Sequence, residues 1–331
     1  MAERLLSQLA HVEILTPTPE ESLRFYTQVM GLEESGRDGQ SVFLRGWGEF
    51  FHHSIQLTEA DHAGLGHVGW RAQGPEELEQ VITKLQQSGQ GEGWHDDSPG
   101  HGPAFRYRAP HGQHLHEVFW EVERYSPPPD KAPLLPNRPQ RYEPRGAAVR
   151  SLDHVTIASP EILADVRWYC DTLGHRFTEY IVAEEDHDLC VFAMTTTVHL
   201  AHDMAIVLDH SGIPGRLNHV AFWVDQREEL LRVAEVFLDS GVPIEFGPGR
   251  HGMGEQDYLY VREPSGLRIE LNAGGYRNFA PDWEPVRWLP SQGSNSIYRN
   301  VAMPESMMES FPTPDAGAVA ESRGASGLFV Q

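Results

Sequence analysis

Two histidines and a glutamate stand in three short runs, LDHVTI (His154), LNHVAF (His219) and LRIELN (Glu270). In a strand, alternate side chains face opposite sides of the sheet. Val155 and Ile157 therefore oppose His154, Val220 and Phe222 oppose His219, and Ile269 and Leu271 oppose Glu270. If the aliphatic residues face helices, the three polar groups turn to the inner side, where a curled sheet brings them together. A single histidine in a strand is ordinarily a hydrogen-bonded structural residue, but three ligand-type residues in one register are hard to arrange by chance. Two imidazoles and a carboxylate leave open positions on a metal, which suits non-haem ferrous iron binding substrate and dioxygen together, and manganese accepts the same donors. His199 in TTTVHLAH and Tyr260 in YLYVRE alternate against aliphatic neighbours and read as facing the same way, while His251 lies in a glycine-rich loop, GPGRHGMG.

The elements that must hold these residues come from a repeat within a repeat. LAHVEI, LGHVGW, LDHVTI and LNHVAF each carry histidine third: His11, His67, His154 and His219. Phe25-Tyr26 and Gly31 follow His11 at the spacings at which Trp168-Tyr169 and Gly174 follow His154. The helical runs ending at Gly89 and Gly241 stand at equal distances from His67 and His219. Leu78, Val81, Ile82 and Leu85 repeat at helical spacing, as do Leu230, Val233, Phe237 and Leu238, and glycine ends each run. Further strands follow each helix, TVHLA and YLYVRE among them. The pattern is βαβββ four times, an α+β fold of two curled sheets. Domain limits are expected at 1–145, 146–290 and 291–331, each of the first two with two modules and its own core. The last stretch is expected to be an extension, partly mobile. The connector from Ser126 to Gly146 holds seven prolines in 21 residues and reads as extended.

Composition narrows the function. The chain has 331 residues, with 26 Lys+Arg against 48 Asp+Glu, a formal charge of −22 that would repel phosphate backbones and anionic lipid. Nucleic acid and membrane are thereby excluded as partners. Only two cysteines, Cys170 and Cys190, are present, matching no zinc spacing and no disulfide framework. No leader or membrane-spanning run is evident, so a soluble cytoplasmic protein is expected.

Gly249 to Glu270 reads Gly-x-His, seven residues, Leu-Tyr, two residues, Glu-Pro-x-Gly, three residues, Glu. This resembles the signature of the type I extradiol ring-cleaving dioxygenases of the vicinal oxygen chelate superfamily, and the likeness extends over about residues 6–290. The resemblance implies iron held by His154, His219 and Glu270, and cleavage of a catechol beside its hydroxyls by dioxygen to a 2-hydroxymuconic semialdehyde. It further implies His199 as acid/base, Tyr260 as hydrogen-bond donor to the substrate and His251 as electrostatic stabiliser. Relatives are commonly homo-oligomers. A glyoxalase-like metalloenzyme or a metal-free binding protein of the same fold are the competing readings. Relatives acting on catechols with a carboxylate side chain carry an arginine where Phe246 stands, so an apolar pocket for catechol and alkyl- or halocatechols is expected, with Arg299 the other possible source of charge. In the first half, aligned positions give His11, His67 and His116, the last opposite Glu270, a three-histidine set. Arg106 aligns with Tyr260 and no counterpart of His251 is evident, and the resemblance implies one active site, in the second half.

Overall fold

The computed structural model describes residues 4–96, 98–298 and 303–314. The first half runs β1 (Leu6–Thr16), α1 (Pro19–Arg24), β2 (Glu33–Asp38), β3 (Ser41–Arg45), β4 (Ile55–Glu59), β5 (Gly64–Ala72), α2 (Pro75–Ser88), β6 (Gly91–His95), β7 (Ala104–Arg108) and β8 (Leu115–Phe119). The second runs β9 (Ser151–Ser159), α3 (Ile162–Leu173), β10 (Arg176–Val182), β11 (Cys190–Thr196), β12 (Met204–Leu208), β13 (Leu217–Trp223), α4 (Arg227–Asp239), β14 (Ile244–Arg250), β15 (Gln256–Arg262), β16 (Arg268–Gly274) and β17 (Val286–Trp288).

Strand order in the first sheet is β2-β3-β4-β1-β5-β8-β7-β6, and in the second β10-β11-β12-β9-β13-β16-β15-β14, with β17 added beside β10. The duplication is thus carried through every strand. In each sheet the first strands of two modules pair antiparallel at the centre, β1 with β5 and β9 with β13. The last strand of a module then pairs parallel with its first, β8 with β5 and β16 with β13. This arrangement puts the four HV pieces side by side, two per sheet. Helices α2 and α3 end at Gly89 and Gly174, both at φ +74°, a left-handed cap that glycine adopts without Cβ strain.

Two separate cores do not form. Val12, Ile14, Val68, Val155, Ile157, Val220, Phe222 and Ile269 belong to one continuous buried cluster, joined by helices that each half lends to the other. Phe25 after α1 stacks on Phe237 of α4, and Tyr169 of α3 hydrogen-bonds His116 of β8 at 2.8 Å. Polar ties follow the same exchange. Ser22 of α1 donates to Glu263 in the turn before β16 (2.7 Å), while Asp165 of α3 accepts from His111 N (3.1 Å), Gly112 N (3.0 Å) and Ser159 Oγ (2.6 Å).

Replacing Asp165 by alanine strands buried N–H groups of the first half's last turn, and each unmet group costs about 1–3 kcal/mol. We expect Asp165→Ala to lower stability by about 2–4 kcal/mol, read as a lower denaturant midpoint with both sheets melting together. Independent melting of one half at the wild-type midpoint would contradict the shared core.

Candidate metal centre and its cavity

The curl of the second sheet brings three donor atoms together. His154 on β9, His219 on β13 and Glu270 on β16 are all buried, each with its aliphatic neighbours facing the core. His154 Nε2 and His219 Nε2 are 3.1 Å apart, and each lies 3.1 Å from Glu270 Oε2. Donors about 2.1–2.2 Å from a shared metal, at right angles to one another, would be about 3.0–3.1 Å apart, so this triangle fits one face of an octahedral ion and leaves the opposite face free.

The rear nitrogens are occupied in a way that aims the front ones. His154 Nδ1 donates to Asp153 Oδ2 (2.8 Å), which also accepts from Asn272 Nδ2 (2.8 Å). His219 Nδ1 donates to Asn218 Oδ1 (2.8 Å). The Asn218 amide is itself oriented by donating to the carbonyls of Met307 (3.2 Å) and Glu309 (3.1 Å). Both imidazoles thereby present an Nε2 lone pair to the centre. Burial would raise the Glu270 pKa, but the adjoining imidazoles of His154 and His219 hold it well below the ordinary carboxylate range, so it remains an anion.

A cavity opens onto the free face, its wall formed by apolar side chains such as Ile181, Val191, Met194, Met253, Met303 and Met307. His202, His251 and Tyr260 also line it, with no lysine or arginine among the described lining residues. Tyr260 Oη donates to His251 Nε2 (3.1 Å), and His251 Nδ1 donates to the carbonyl of Asn295 (2.6 Å). The described part of the C-terminal extension is thus docked. Phe311 exchanges backbone hydrogen bonds with Leu217, and Met303, Met307 and Met308 close one side of the cavity.

Two expected site residues lie elsewhere. His199 is outside the cavity, because TVHLA does not form a strand. The strand is β12, five residues later, and residues 197–203 form a loop closed by Thr197 N donating to Asp203 Oδ2 (2.9 Å). On this loop the His199 ring packs beside Phe279 and its Nδ1 donates to the carbonyl of Asn278 (3.1 Å). The loop instead presents His202, buried, with its ring 4.1 Å from that of His154 and Nδ1 without a hydrogen-bond partner. Aligning IQLTE of β4 with MAIVL of β12 puts His53 and His202 at the same place, a repeat signal that would have found it. Phe246 is buried behind the wall, stacked on Tyr258 at 5.0 Å, and does not line the cavity. Arg299 lies outside the described residues.

Known proteins share this architecture. Residues 8–113 and 151–271 match the model of the Glyoxalase/Bleomycin resistance protein/Dioxygenase superfamily. A metapyrocatechase of Geobacillus stearothermophilus is 38% identical over 91% of this chain and 92% of its own length. A manganese-dependent 2,3-dihydroxybiphenyl 1,2-dioxygenase of Geobacillus genomosp. 3 is 35% identical over 86% of this chain and 90% of its own. Among solved structures, a homoprotocatechuate 2,3-dioxygenase of Brevibacterium fuscum in complex with 3,4-dihydroxyphenylacetate superposes with a TM-score of 0.79, at 27% identity and covering 92% of each chain.

Because Asp153 orients His154 and raises its basicity, Asp153→Ala should weaken metal retention by about 10–100-fold with the fold intact. A chelator titration followed by metal analysis measures this, and unchanged retention would show that Asp153 does not support the centre.

Proposed function

We propose that this chain, which belongs to the Glyoxalase/Bleomycin resistance protein/Dioxygenase superfamily and is an extradiol ring-cleaving dioxygenase of the metapyrocatechase type, opens catechol and its alkyl or halo derivatives at the cavity in its second sheet. The observation that carries the reading is the triangle of His154, His219 and Glu270 with its free face turned into an apolar cavity that also holds His202, His251 and Tyr260. Ferrous iron is the metal proposed, and manganese, named in one relative, fits the same donors. When bound there, such an ion supplies Lewis-acid activation of both catechol oxygens and a path for ring electrons to dioxygen. The reaction balances without another reductant, since both atoms of dioxygen end in the 2-hydroxymuconic semialdehyde.

The protein's own groups hold and move protons. His202 is the proposed acceptor of a catechol hydroxyl proton. It is buried beside His154, and its Nδ1 has no protein partner. Burial, reinforced by the neighbouring His154, holds its pKa well below the ordinary histidine value, so it is neutral at pH 7 and keeps a lone pair for a proton. Tyr260 and His251 form a hydrogen-bonded pair across the cavity from it. Burial raises the Tyr260 phenol well above its usual range, so it stays a donor, and His251 Nε2 is the atom at which this pair takes up or returns a proton. The Asn295 carbonyl, held by His251 Nδ1, sets the tautomer that makes this possible. His199, expected as the acid/base, is not given that role here, because its ring is turned to Phe279.

The apolar wall sets the substrate class. A carboxylate side chain would lose hydration there with no cation among the described lining residues, and leaving even a neutral polar group unpaired costs roughly 2–7 kcal/mol. Phe246 contributes by backing Tyr258 rather than by touching substrate. No helix is long and apolar enough to cross a membrane, and a cytoplasmic location is part of the proposal. So is self-association, for which the exposed Phe279 and Trp283 offer surface.

Oxygen uptake with anaerobically iron-loaded protein and catechol, accompanied by a yellow product, tests the reaction. No uptake with any catechol would overturn it. His202→Phe should keep the metal and lose about 10²–10⁴-fold in kcat, whereas His199→Ala should retain turnover. The reverse pattern would return the proton-acceptor role to His199. Catalytic efficiency should favour 4-methylcatechol over 3,4-dihydroxyphenylacetate, and preference for the acid would refute the apolar-pocket assignment.

A further inference from the structure

The first sheet repeats the donor geometry of the second. The expected third histidine, His116, is not part of it. The turn joining β7 to β8 is one residue longer than that joining β15 to β16, with Gln113 at φ +57°. One extra residue flips the register of a strand between faces. His116 is thereby sent to the back, between Trp70 and Tyr169, and Glu117 comes to the inner face. Register confirms the equivalence. Glu117 pairs with Gly69, two residues beyond His67, as Glu270 pairs with Ala221, two beyond His219. The three donor atoms again form a tight triangle, His11 Nε2 to His67 Nε2 at 2.8 Å and each 3.3 Å from Glu117 Oε1.

The remaining contacts make this a built site. His67 Nδ1 donates to Glu13 Oε2 (2.7 Å), so its Nε2 faces the centre as a lone pair. His101, which the aligned positions did not reveal, donates from Nδ1 to the carbonyl of Gly102 (2.7 Å) and brings its own Nε2 within 3.2 Å of Glu117 Oε1. The Nε2 atoms of His11, His67 and His101 therefore converge on the oxygen of a fully buried carboxylate, and no hydrogen bond of good geometry reaches that oxygen. A cation between them makes such a set mutually attractive. Two glycines near His67 on β5 make room for the His11 ring and the Glu13 side chain to take these positions. A Cβ on Gly69 would lie 2.2 Å from the His11 ring, and one on Gly66 would lie 2.1 Å from Glu13 Oε2.

We infer that the first sheet holds a second divalent transition-metal ion, bound by His11, His67 and Glu117, and that this ion does not open catechols. The second clause follows from what crowds Glu117: His101 Nε2 stands 3.2 Å from one carboxylate oxygen and the Arg106 guanidinium 3.2 Å from the other. Arg106 stands opposite Glu117, where Tyr260 stands opposite Glu270, and ties up Glu117 Oε2 at 3.2 Å. The ion's role is then to hold the first sheet's central strands together, since metal bound only by the folded chain contributes folding free energy.

The full-length chain, stripped of metal and reconstituted anaerobically with Mn²⁺, should after desalting hold two ions per chain by elemental analysis, one for each cluster. Glu270→Ala should hold one ion and take up no oxygen with catechol. His11→Ala should also hold one and keep turnover, and the double variant should hold none. Should His11→Ala fail to fold, Glu117→Gln, of the same size, replaces it. A single ion in the wild-type chain with none in Glu270→Ala would overturn the inference and leave a proton-bridged cluster. Oxygen uptake by Mn²⁺-loaded Glu270→Ala would overturn its non-catalytic assignment. Two ions per chain with no oxygen uptake by wild type loaded with either Mn²⁺ or Fe²⁺ would instead sink the ring-opening reading and leave this one standing.

Discussion

The constraint on which the second half depends is the convergence of two imidazole nitrogens and one carboxylate oxygen on a single point inside a curled sheet. Unpaired, a buried carboxylate is costly, and two lone pairs facing it add repulsion. Three neighbouring strands supply the donors, so the antiparallel pairing of β9 with β13 and the parallel pairing of β13 with β16 must both hold their register. A slip of one residue would exchange Glu270 for Ile269 or Leu271, His154 for Asp153 or Val155, or His219 for Asn218 or Val220. The aliphatic residues on the opposite face guard against that slip, because they would have to leave the core.

Register alone does not aim a ring. Asp153 and Asn218 hold the rear nitrogens of His154 and His219, and Asn218 is held by carbonyls of the C-terminal extension. That extension also closes one side of the cavity, so the segment after the last module belongs to the site in two ways. The loop before β12, locked by Asp203 on Thr197, brings His202 beside the metal donors. The extension and the loop both lie outside the three strands that carry the donors, whereas Asp153 and Asn218 are strand neighbours of the histidines they hold.

The two halves keep one strand plan and differ where chemistry differs. Tyr260 opposite Glu270 gives a neutral donor facing an open cavity, whereas Arg106 opposite Glu117 gives a cation that occupies the carboxylate's second oxygen. His251 lies 3.9 Å from Glu270 Oε1 and is engaged with Tyr260, while His101 approaches Glu117 Oε1 at 3.2 Å. Small shifts of this kind separate a centre with room for reactants from one filled by its own side chains. The halves also share a core through exchanged helices, so neither sheet is shaped independently.

From the sequence alone, period-two alternation and the fourfold repeat determined the module plan, the inner-facing set His154, His219 and Glu270, and the inward direction of Tyr260, because strand periodicity is a local property. The 22-residue spacing from Gly249 to Glu270 carried the family likeness. Tertiary structure decided what alternation cannot reach. His199 was read as a strand residue, but the ladder starts at Met204, and only the loop's closure by Asp203 shows that His202 faces the cavity. Glu117 rather than His116 faces inward because the preceding turn holds one more residue, an insertion visible only once strand pairing sets which residues oppose. Phe246 alternates correctly yet sits behind Tyr258, since direction within a strand does not say which layer of side chains meets the ligand. Local periodicity assigns faces, and only the packing of distant segments decides distance and access.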